Sequence, residues 1–511
     1  MPFNSIFAWV MKKRIHQIEL FRKYPHEVQQ EVFERLIAAG TQTTYGQLHH
    51  FSNISSYNQF KELVPLNDYS TLRPLIDRLM EGEQQLLWPN DTKWFAKSSG
   101  TTDERSKYIP VTRESLEECH YKGGKDLLAL YYENFPNRKL YKGKHLIVGG
   151  SAQILPVAHD MYSGDLSAII VKNLPWWAEI RRTPSKEIAL MSEWEEKIEK
   201  MALSTMHEDV YILAGVPSWT YVLAQKVLEI SGKNHLREVW PNLELFMHGG
   251  VSFEPYREAF KKLIPFDDMH YVETYNASEG FFGIQDVDGS NELLLMLDYG
   301  IFYEFIPMDT FKGLDSQEVV QLSEVQTGVN YVLVISTNGG LWRYIVGDTI
   351  QFTSTTPYRF KITGRTKHFI NVFGEEVIVD NTERAIAEAS KRTQALIREY
   401  HVAPVFMNED QKGGHEWVIE FVSYPDDQNR FNLVLDETLR EINSDYDAKR
   451  TNNMALASPR IHVLASGTFE EWMRQRGKLG GQNKVPRLSN ERVYLEQLLR
   501  THEEIKATCE N

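Results

Sequence analysis

The strongest constraint on the fold lies between His145 and Tyr275, where short apolar runs alternate with segments of helical period. His145–Val148, Val210–Ala214, Leu243–Met247 and Met269–Tyr275 have the length of buried strands rather than core helices. Between them, Glu187–Leu203, Ser218–Ile230 and Pro255–Leu263 repeat their apolar positions as helices do. Parallel neighbours need crossovers, and crossover helices land on the sheet, so this alternation predicts a largely parallel sheet covered on both faces. Ligands on such sheets gather at the carboxyl ends of the strands. Here those ends carry Gly149-Gly150-Ser151, Gly215-Val216-Pro217-Ser218, His248-Gly249-Gly250 and Tyr275-Asn276-Ala277-Ser278-Glu279-Gly280.

From Phe281 to about Thr363 the apolar period falls to two. Leu293–Leu297, Ile301–Ile306, Tyr331–Ser336, Arg343–Val346, Ile350–Thr353 and Arg359–Ile362 read as short strands, with Asn338-Gly339-Gly340 as a turn. They predict a smaller, barrel-like antiparallel sheet beside the parallel one. Upstream, Phe3 to Ala39 reads as two helices broken near Pro25, with Gly40 as the C′ residue. Short helices are expected at Tyr57–Leu63 and Tyr69–Met80, and Thr112 should cap a helix from Arg113 to Asn134. Past Gly364-Arg365-Thr366-Lys367 the pattern gives a helix over Asn381–Tyr400, strands at Ala403–Met407 and Trp417–Val422, and a helix over Arg430–Asn443. A strand at Arg460–Leu464 and a helix over Asn490–His502 complete the tail. At 511 residues the chain exceeds one core. The expected fold class is α/β: a large N-terminal domain, 1–366, of mixed, largely parallel sheets flanked by helices plus the barrel-like antiparallel part, and a small α+β C-terminal domain, 367–511.

A formal net charge of -14 argues against a general nucleic-acid binder. Two cysteines, Cys119 and Cys509, make neither a disulfide framework nor a thiolate zinc site, and Cys119 is expected as a packed thiol. None of His26, His207, His415 and His502, each followed by Glu, has a second histidine four residues on, which excludes a helical zinc hydrolase site. The apolar N-terminal run from Ser5 to Met11 is cut short by Lys12 and Lys13, with no small-residue cleavage site after it. It reads as an amphipathic docking helix, no run approaches a membrane span, and a cytoplasmic protein is expected.

The most distinctive short motif is Lys97-Ser98-Ser99-Gly100-Thr101-Thr102-Asp103-Glu104-Arg105-Ser106-Lys107, entered by Trp94-Phe95-Ala96 and left by Tyr108-Ile109-Pro110-Val111. It reads as a loop between two strands of opposite direction. Hydroxyls around a glycine can grip phosphate, with Lys107 adding charge, and a plain surface turn has the same composition. It is no Walker loop, and Gly123-Gly124-Lys125-Asp126 lacks the upstream glycine and the hydroxyl of one. Glu279 can complete a magnesium shell of phosphate oxygens and water, or can be a solvated loop acid. Asp348 has two oxygens for a pair of ribose hydroxyls, or is an ordinary turn Asp. Arg365 suits a ribose or phosphate contact or a rim salt bridge. Lys484, in a basic glycine-rich loop from Arg476 to Arg487, suits charge neutralisation or plain solubility.

In order, these pieces resemble the adenylate-forming enzymes, and more closely the GH3 acyl-acid-amido synthetase family. Ser98-Ser99-Gly100-Thr101-Thr102 to Lys107 is similar to its first ATP motif, Tyr275 to Gly280 to its second and Tyr344 to Asp348 to its third. Gly364 to Asn371 with Phe373-Gly374-Glu375-Glu376 resembles the hinge of the bacterial branch, and Lys484-Val485-Pro486-Arg487 the terminal lysine motif. Glu104 stands where the family usually has a second glycine, and Ala277 where it usually has serine.

The resemblance implies ATP and Mg²⁺ as cofactors, with the small domain a mobile lid rotating about Lys367. Ser98, Ser99, Gly100, Thr101, Thr102, Ser278, Asp348 and Arg365 would bind ATP, Glu279 the metal, and Lys484 and Lys107 would serve catalysis. Adenine is expected against Gly249, Gly250 and Tyr275, and the acyl acid among Val216, Ser218, Trp219 and Phe281, walled by the helix after Thr112. The implied reaction adenylates a carboxylic acid and transfers the acyl group to an amine, usually of an amino acid. An acyl- or aryl-CoA ligase and a nucleotide-binding regulatory protein of the same fold are the alternatives, and the sequence leaves oligomeric state open.

Overall fold

A computed structural model of the chain describes residues 2–98, 107–138, 140–149, 154–158, 160–191, 193–250, 253, 256–366, 369–375, 377–407, 412–450, 456–476 and 485–509. The described residues fall into two compact units. One spans Met1–Ser98, Lys107–Phe253 and Lys261–Thr366, and the other holds residues from 369 onward with 256–260.

The first unit is built on a 12-stranded sheet. Arg182–Thr183, Lys144–Val148, Val210–Gly215, Leu245–Gly249 and His270–Ala277 lie side by side and parallel, as the strand–helix alternation requires. Their crossovers include the helices Trp194–Thr205, Pro217–Ser231 and Arg257–Leu263. The segment read as one helix over Glu187–Leu203 is two, Lys186–Ala189 and Trp194–Thr205.

Past His270–Ala277 the neighbours turn antiparallel: Gly280–Ile284, Leu293–Leu295, Tyr358–Arg365, Tyr344–Thr355, Asn330–Thr337, Ile301–Pro307 and Val320–Gln321. These strands join the parallel ones edge to edge rather than forming a sheet of their own. His270–Ala277 is thus the seam between the two halves. A second sheet of four strands carries Trp94–Ser98 paired antiparallel with Lys107–Val111, the two strands expected around the hydroxyl-rich loop. The short strands Leu155–Ala158, Met161–Gly164 and Gly280–Ile284 have no clear signature in the sequence.

The N-terminal helices Pro2–Lys23 and Pro25–Gly40 break at Pro25 as expected. Gly40 is not a left-handed C′ residue: it closes the helix, and Thr41 after it keeps right-handed backbone at φ -55. Its reason is contact, since a Cβ there would sit 2.7 Å from the Trp342 ring and 2.8 Å from Phe51. Thr112 does cap the helix after it, its Oγ1 accepting from Ser115 N at 3.0 Å. That helix contains a wider, π-type segment at Ser115–His120 before running on through Tyr121–Asn134.

At the Asn338-Gly339-Gly340 turn, Gly340 takes φ +87, and three residues on Arg343 adopts φ +41, unusual for a residue with a side chain. Its buried guanidinium pairs with fully buried Glu304 at 3.0 Å and donates to Val64 O at 2.7 Å. The Tyr57 hydroxyl donates to the same carboxylate at 2.9 Å.

In the second unit, Leu396–Val405 pairs antiparallel with Gly414–Ser423, which pairs parallel with Arg460–Leu464. The helix expected to reach Tyr400 stops at Arg392. Thr393 Oγ1 bonds back to Ala389 O at 2.7 Å, Gln394 turns the chain at φ +52, and Leu396 begins a strand. Helical period in the sequence there loses to a ladder with the buried strand of Trp417, Val418 and Ile419. The Phe373-Gly374-Glu375 motif folds around a buried carboxylate: Glu375 accepts from Val372 N at 2.9 Å and Phe373 N at 2.7 Å, and meets His415 Nε2 at 2.8 Å. The sequence pattern did not anticipate the helix Thr468–Gln475, and the last helix spans Val493–Cys509. Among the described residues no helix is long and apolar enough to cross a membrane.

The first helix is fastened by charge as well as by Ile18 and Phe21. Arg14, buried, binds Asp126 at 2.6 Å and Asp298 at 2.7 Å, and Lys122 and Tyr299 close the cluster on the same two carboxylates. Arg14→Met is expected to lower unfolding free energy by about 3–5 kcal/mol, because fully buried Asp126 loses its cation. Denaturant midpoints measure this, and an unchanged midpoint would show that the apolar face alone docks the helix.

Candidate active site

The seam strand sets the geometry. Ala277 pairs with Gly280, so Ser278 and Glu279 form a two-residue hairpin tip at its carboxyl end. Glu279 is half-buried there. Burial raises its carboxyl above the ordinary range, the Lys107 ammonium opposes that rise, and Asp348 adds to it. Lys107 is itself buried at the start of its strand, where the hydroxyl-rich loop ends. Lys107, Glu279, Asp348 and Arg365 therefore share one electrostatic neighbourhood.

Asp348 lies directly across the ladder from Arg365, and its Oδ1 accepts from Arg365 Nε at 2.5 Å. Its Oδ2 accepts from the Tyr275 hydroxyl. Strand order puts Tyr275 and Asp348 four neighbours apart, which in a flat sheet is about 19 Å. Side chains of that size cannot bridge the gap, so the sheet curls sharply over these strands. Phe360 and Phe282 fill the curl, with ring centroids 6.2 and 4.8 Å from Tyr275. The Tyr275 ring is accordingly packed among core aromatics, and its polar end meets the site.

The carboxyl ends of the parallel strands line up beside the hairpin. Gly215 pairs with His248 and Gly249 with Thr274. Gly249 permits close packing, since a Cβ would sit 2.4 Å from Thr274 O, and Gly250 takes φ +82 beside Val216. Trp219 is half-buried in the first turn of Pro217–Ser231, and the side chain of Ser218 is not among the described ones. Phe281 is buried: its ring covers Gly123 and meets Tyr299 edge-on at 5.9 Å. Ser98 ends its strand opposite Lys107, whereas Ser99, Gly100, Thr101, Thr102, Glu104, Lys367 and Lys484 lie outside the described residues.

Two residues outside every motif, His120 and Cys119, belong to the same corner. His120 Nδ1 meets Asn276 Oδ1 at 3.0 Å, and Cys119 Sγ accepts from Phe281 N at 3.1 Å. Both contacts come from the π-type segment, whose wider turn lets consecutive residues reach the hairpin; a 3.6-residue period cannot forecast that. Cys119 is the packed thiol expected, and burial pushes its pKa up to about 12. The Tyr344 hydroxyl is buried without a hydrogen-bond partner among the described residues and feels the charge of Glu279.

Three family models match the chain in order: the GH3 family N-terminal domain over residues 14–269, the central domain over 294–365 and the C-terminal domain over 380–493. The chain belongs to the GH3 family. Indole-3-acetic acid-amido synthetase GH3.4 of Arabidopsis thaliana is 22% identical to it, covering 93% of this chain and 91% of the relative. Among solved structures, the AtGH3.15 acyl acid amido synthetase in complex with 2,4-DB superposes with a TM-score of 0.59 at 19% identity, covering 93% of both chains. A 2-hydroxyisobutyryl-CoA ligase in complex with 2-HIB-AMP and CoA gives a TM-score of 0.55 at 13% identity, covering 93% of this chain and 92% of that one. Those likenesses show that this GH3 chain shares the fold of both ligases.

Burial lowers the His120 pKa to about 4, against the pull of its Asn276 hydrogen bond. The unfolded imidazole takes its proton near pH 6.5, so this contribution to stability is complete above 6.5 and lost as pH falls toward 4. It amounts to roughly 3 kcal/mol for a shift of that size. Unfolding free energy measured from pH 7 to 4 should fall on acidification, and His120→Asn should flatten the slope by about one proton.

Proposed function

We propose that this GH3 protein is an ATP-dependent acyl-acid-amido synthetase. It joins a carboxylic acid to an amine, the nitrogen of an amino acid, through an acyl-adenylate. The observation that carries the proposal is the convergence of Lys107, Glu279, Asp348 and Arg365 at the carboxyl end of the seam strand, in a chain whose relative over nearly its whole length is an amido synthetase.

In the first half-reaction a substrate carboxylate oxygen attacks the α-phosphorus of ATP, and the bond to the pyrophosphate oxygen breaks. Two anions must meet, so cationic side chains have to neutralise charge as it builds. Lys107 does so from the strand start and Lys484 from the tail. Asp348 and Arg365 orient the ribose, and Ser98, Ser99, Gly100, Thr101, Thr102 and Ser278 hold phosphate oxygens. Glu279, a carboxylate at the hairpin tip in the charge field of Lys107, would serve as a single protein ligand for Mg²⁺, with phosphate oxygens and water filling the rest of the shell. The buried Tyr344 hydroxyl beside it is a ready partner for such a water. The ion would supply charge stabilisation at the phosphates.

In the second half-reaction the amine nitrogen attacks the acyl carbon, the bond to AMP breaks, and an amide forms. Mixed anhydrides hydrolyse readily, so the cleft must exclude water between the steps. Residues 367–511 serve as the lid and turn about Lys367 to present a second set of groups to the same cleft. Gly249 and Gly250 leave room for adenine, and Val216, Ser218 and Trp219 border the acid.

Screening carboxylic acids by pyrophosphate release, then amino acids and CoA against the best acid, tests the proposal. Amide product is expected, thioester product would make the chain a CoA ligase, and no release with any acid would leave a nucleotide-binding protein without turnover. Lys484→Ala is expected to abolish ATP–pyrophosphate exchange while ATP still binds. Normal exchange in that variant would remove Lys484 from the first step.

A further inference from the structure

The Asp348 carboxylate is held from two sides. Oδ1 accepts from Arg365 Nε and Oδ2 from the Tyr275 hydroxyl. Tyr275 and Asp348 are only 7% and 6% exposed, so water does little to set this arrangement. The terminal torsion of an aspartate is soft, and its carboxylate plane is fixed only by what binds its oxygens. An ionised carboxylate has about four acceptor sites, two on each oxygen. Among the described residues one site on each oxygen is taken and one on each is left. That remainder suits a cis-diol, which brings two O–H donors side by side.

The phenol is suited to the task. Burial first, and Asp348 second, hold its pKa well above the ordinary value, so it remains a donor. Its ring is wedged between Phe282 and Phe360, which leaves the hydroxyl little freedom to swing away.

Resting on the reading of this chain as an ATP-dependent ligase, we infer that Tyr275 is a positioning residue for nucleotide selection. Its hydroxyl, with Arg365 on the opposite oxygen, locks the Asp348 carboxylate in the rotation that accepts both ribose hydroxyls. Tyr275 then acts through Asp348 and touches neither reacting atom.

The test compares kcat/KM for ATP and for 2′-deoxyATP in pyrophosphate release by the full-length protein with its best acid. Because the ratio is taken within one preparation, any loss of folded protein cancels. The unsubstituted chain should prefer ATP by about tenfold or more, the worth of a hydrogen bond to a charged group. Tyr275→Phe should shrink that preference to about threefold or less, with the loss in KM for ATP and little change in kcat. Phe282→Leu, which keeps the phenol but frees its ring on one side, should narrow the ratio in the same direction and keeps the inference testable if Tyr275→Phe does not fold. A ratio unchanged in these variants, or no preference in the unsubstituted chain, overturns the inference while ATP turnover upholds the ligase reading. Absence of pyrophosphate release from the unsubstituted chain with every acid overturns both.

Discussion

The curl of the sheet between His270–Ala277 and Tyr344–Thr355 is the constraint on which the site depends. Strands at these positions in a flat sheet would hold their side chains too far apart to touch, yet the Tyr275 hydroxyl reaches Asp348. Buried aromatics stabilise the curl: Phe282, Phe352 and Phe360 fill its inside, and each is fully buried. The hydrophobic driving force that closes this part of the sheet also fixes the distance between polar groups on its rim. Packing and polar geometry are one problem here rather than two.

The seam solves a second problem. A parallel sheet offers strand ends that all point one way, which collects loops at one edge. An antiparallel sheet alternates its ends and ties them with short turns, which holds side chains more rigidly. His270–Ala277 belongs to both. Its parallel neighbour brings Gly249 and Gly250 to its carboxyl end, and its antiparallel partner fixes Glu279 in a tight hairpin. A carboxylate on a two-residue tip has far less freedom than one on a long loop, which suits a group whose partners are small and charged.

Much of this was legible in the sequence, and the exceptions have physical causes. The parallel strands, the turn at Asn338-Gly339-Gly340, the strand pair around the hydroxyl-rich loop and the cap at Thr112 all follow from local pattern, because each is decided by residues close in sequence. Glu279, Asp348 and Arg365 could be picked out by residue type and setting. Their partners could not, since the ladder that sets Asp348 opposite Arg365 contains register shifts, and the Tyr275 contact needs the curl. Leu396–Tyr400 was misread as helix because its strand is chosen by a partner some twenty residues on. His120 escaped notice as a partner of Asn276 because a π-type segment breaks the period by which helix faces are recognised.

The backbone at Arg343 has a consequence for how this sequence can drift. A left-handed residue with a side chain carries strain of about 1–3 kcal/mol, which glycine would relieve. Glycine, however, would strip fully buried Glu304 of its guanidinium. Lysine would keep the charge but not the fork that spans Glu304 and the Val64 carbonyl together. Neither substitution relieves the backbone and satisfies Glu304 at once, so the two positions are tied to each other. Four residues upstream of Gly347-Asp348, the chain is bound to a two-site compromise that neutral variation cannot dissolve one letter at a time.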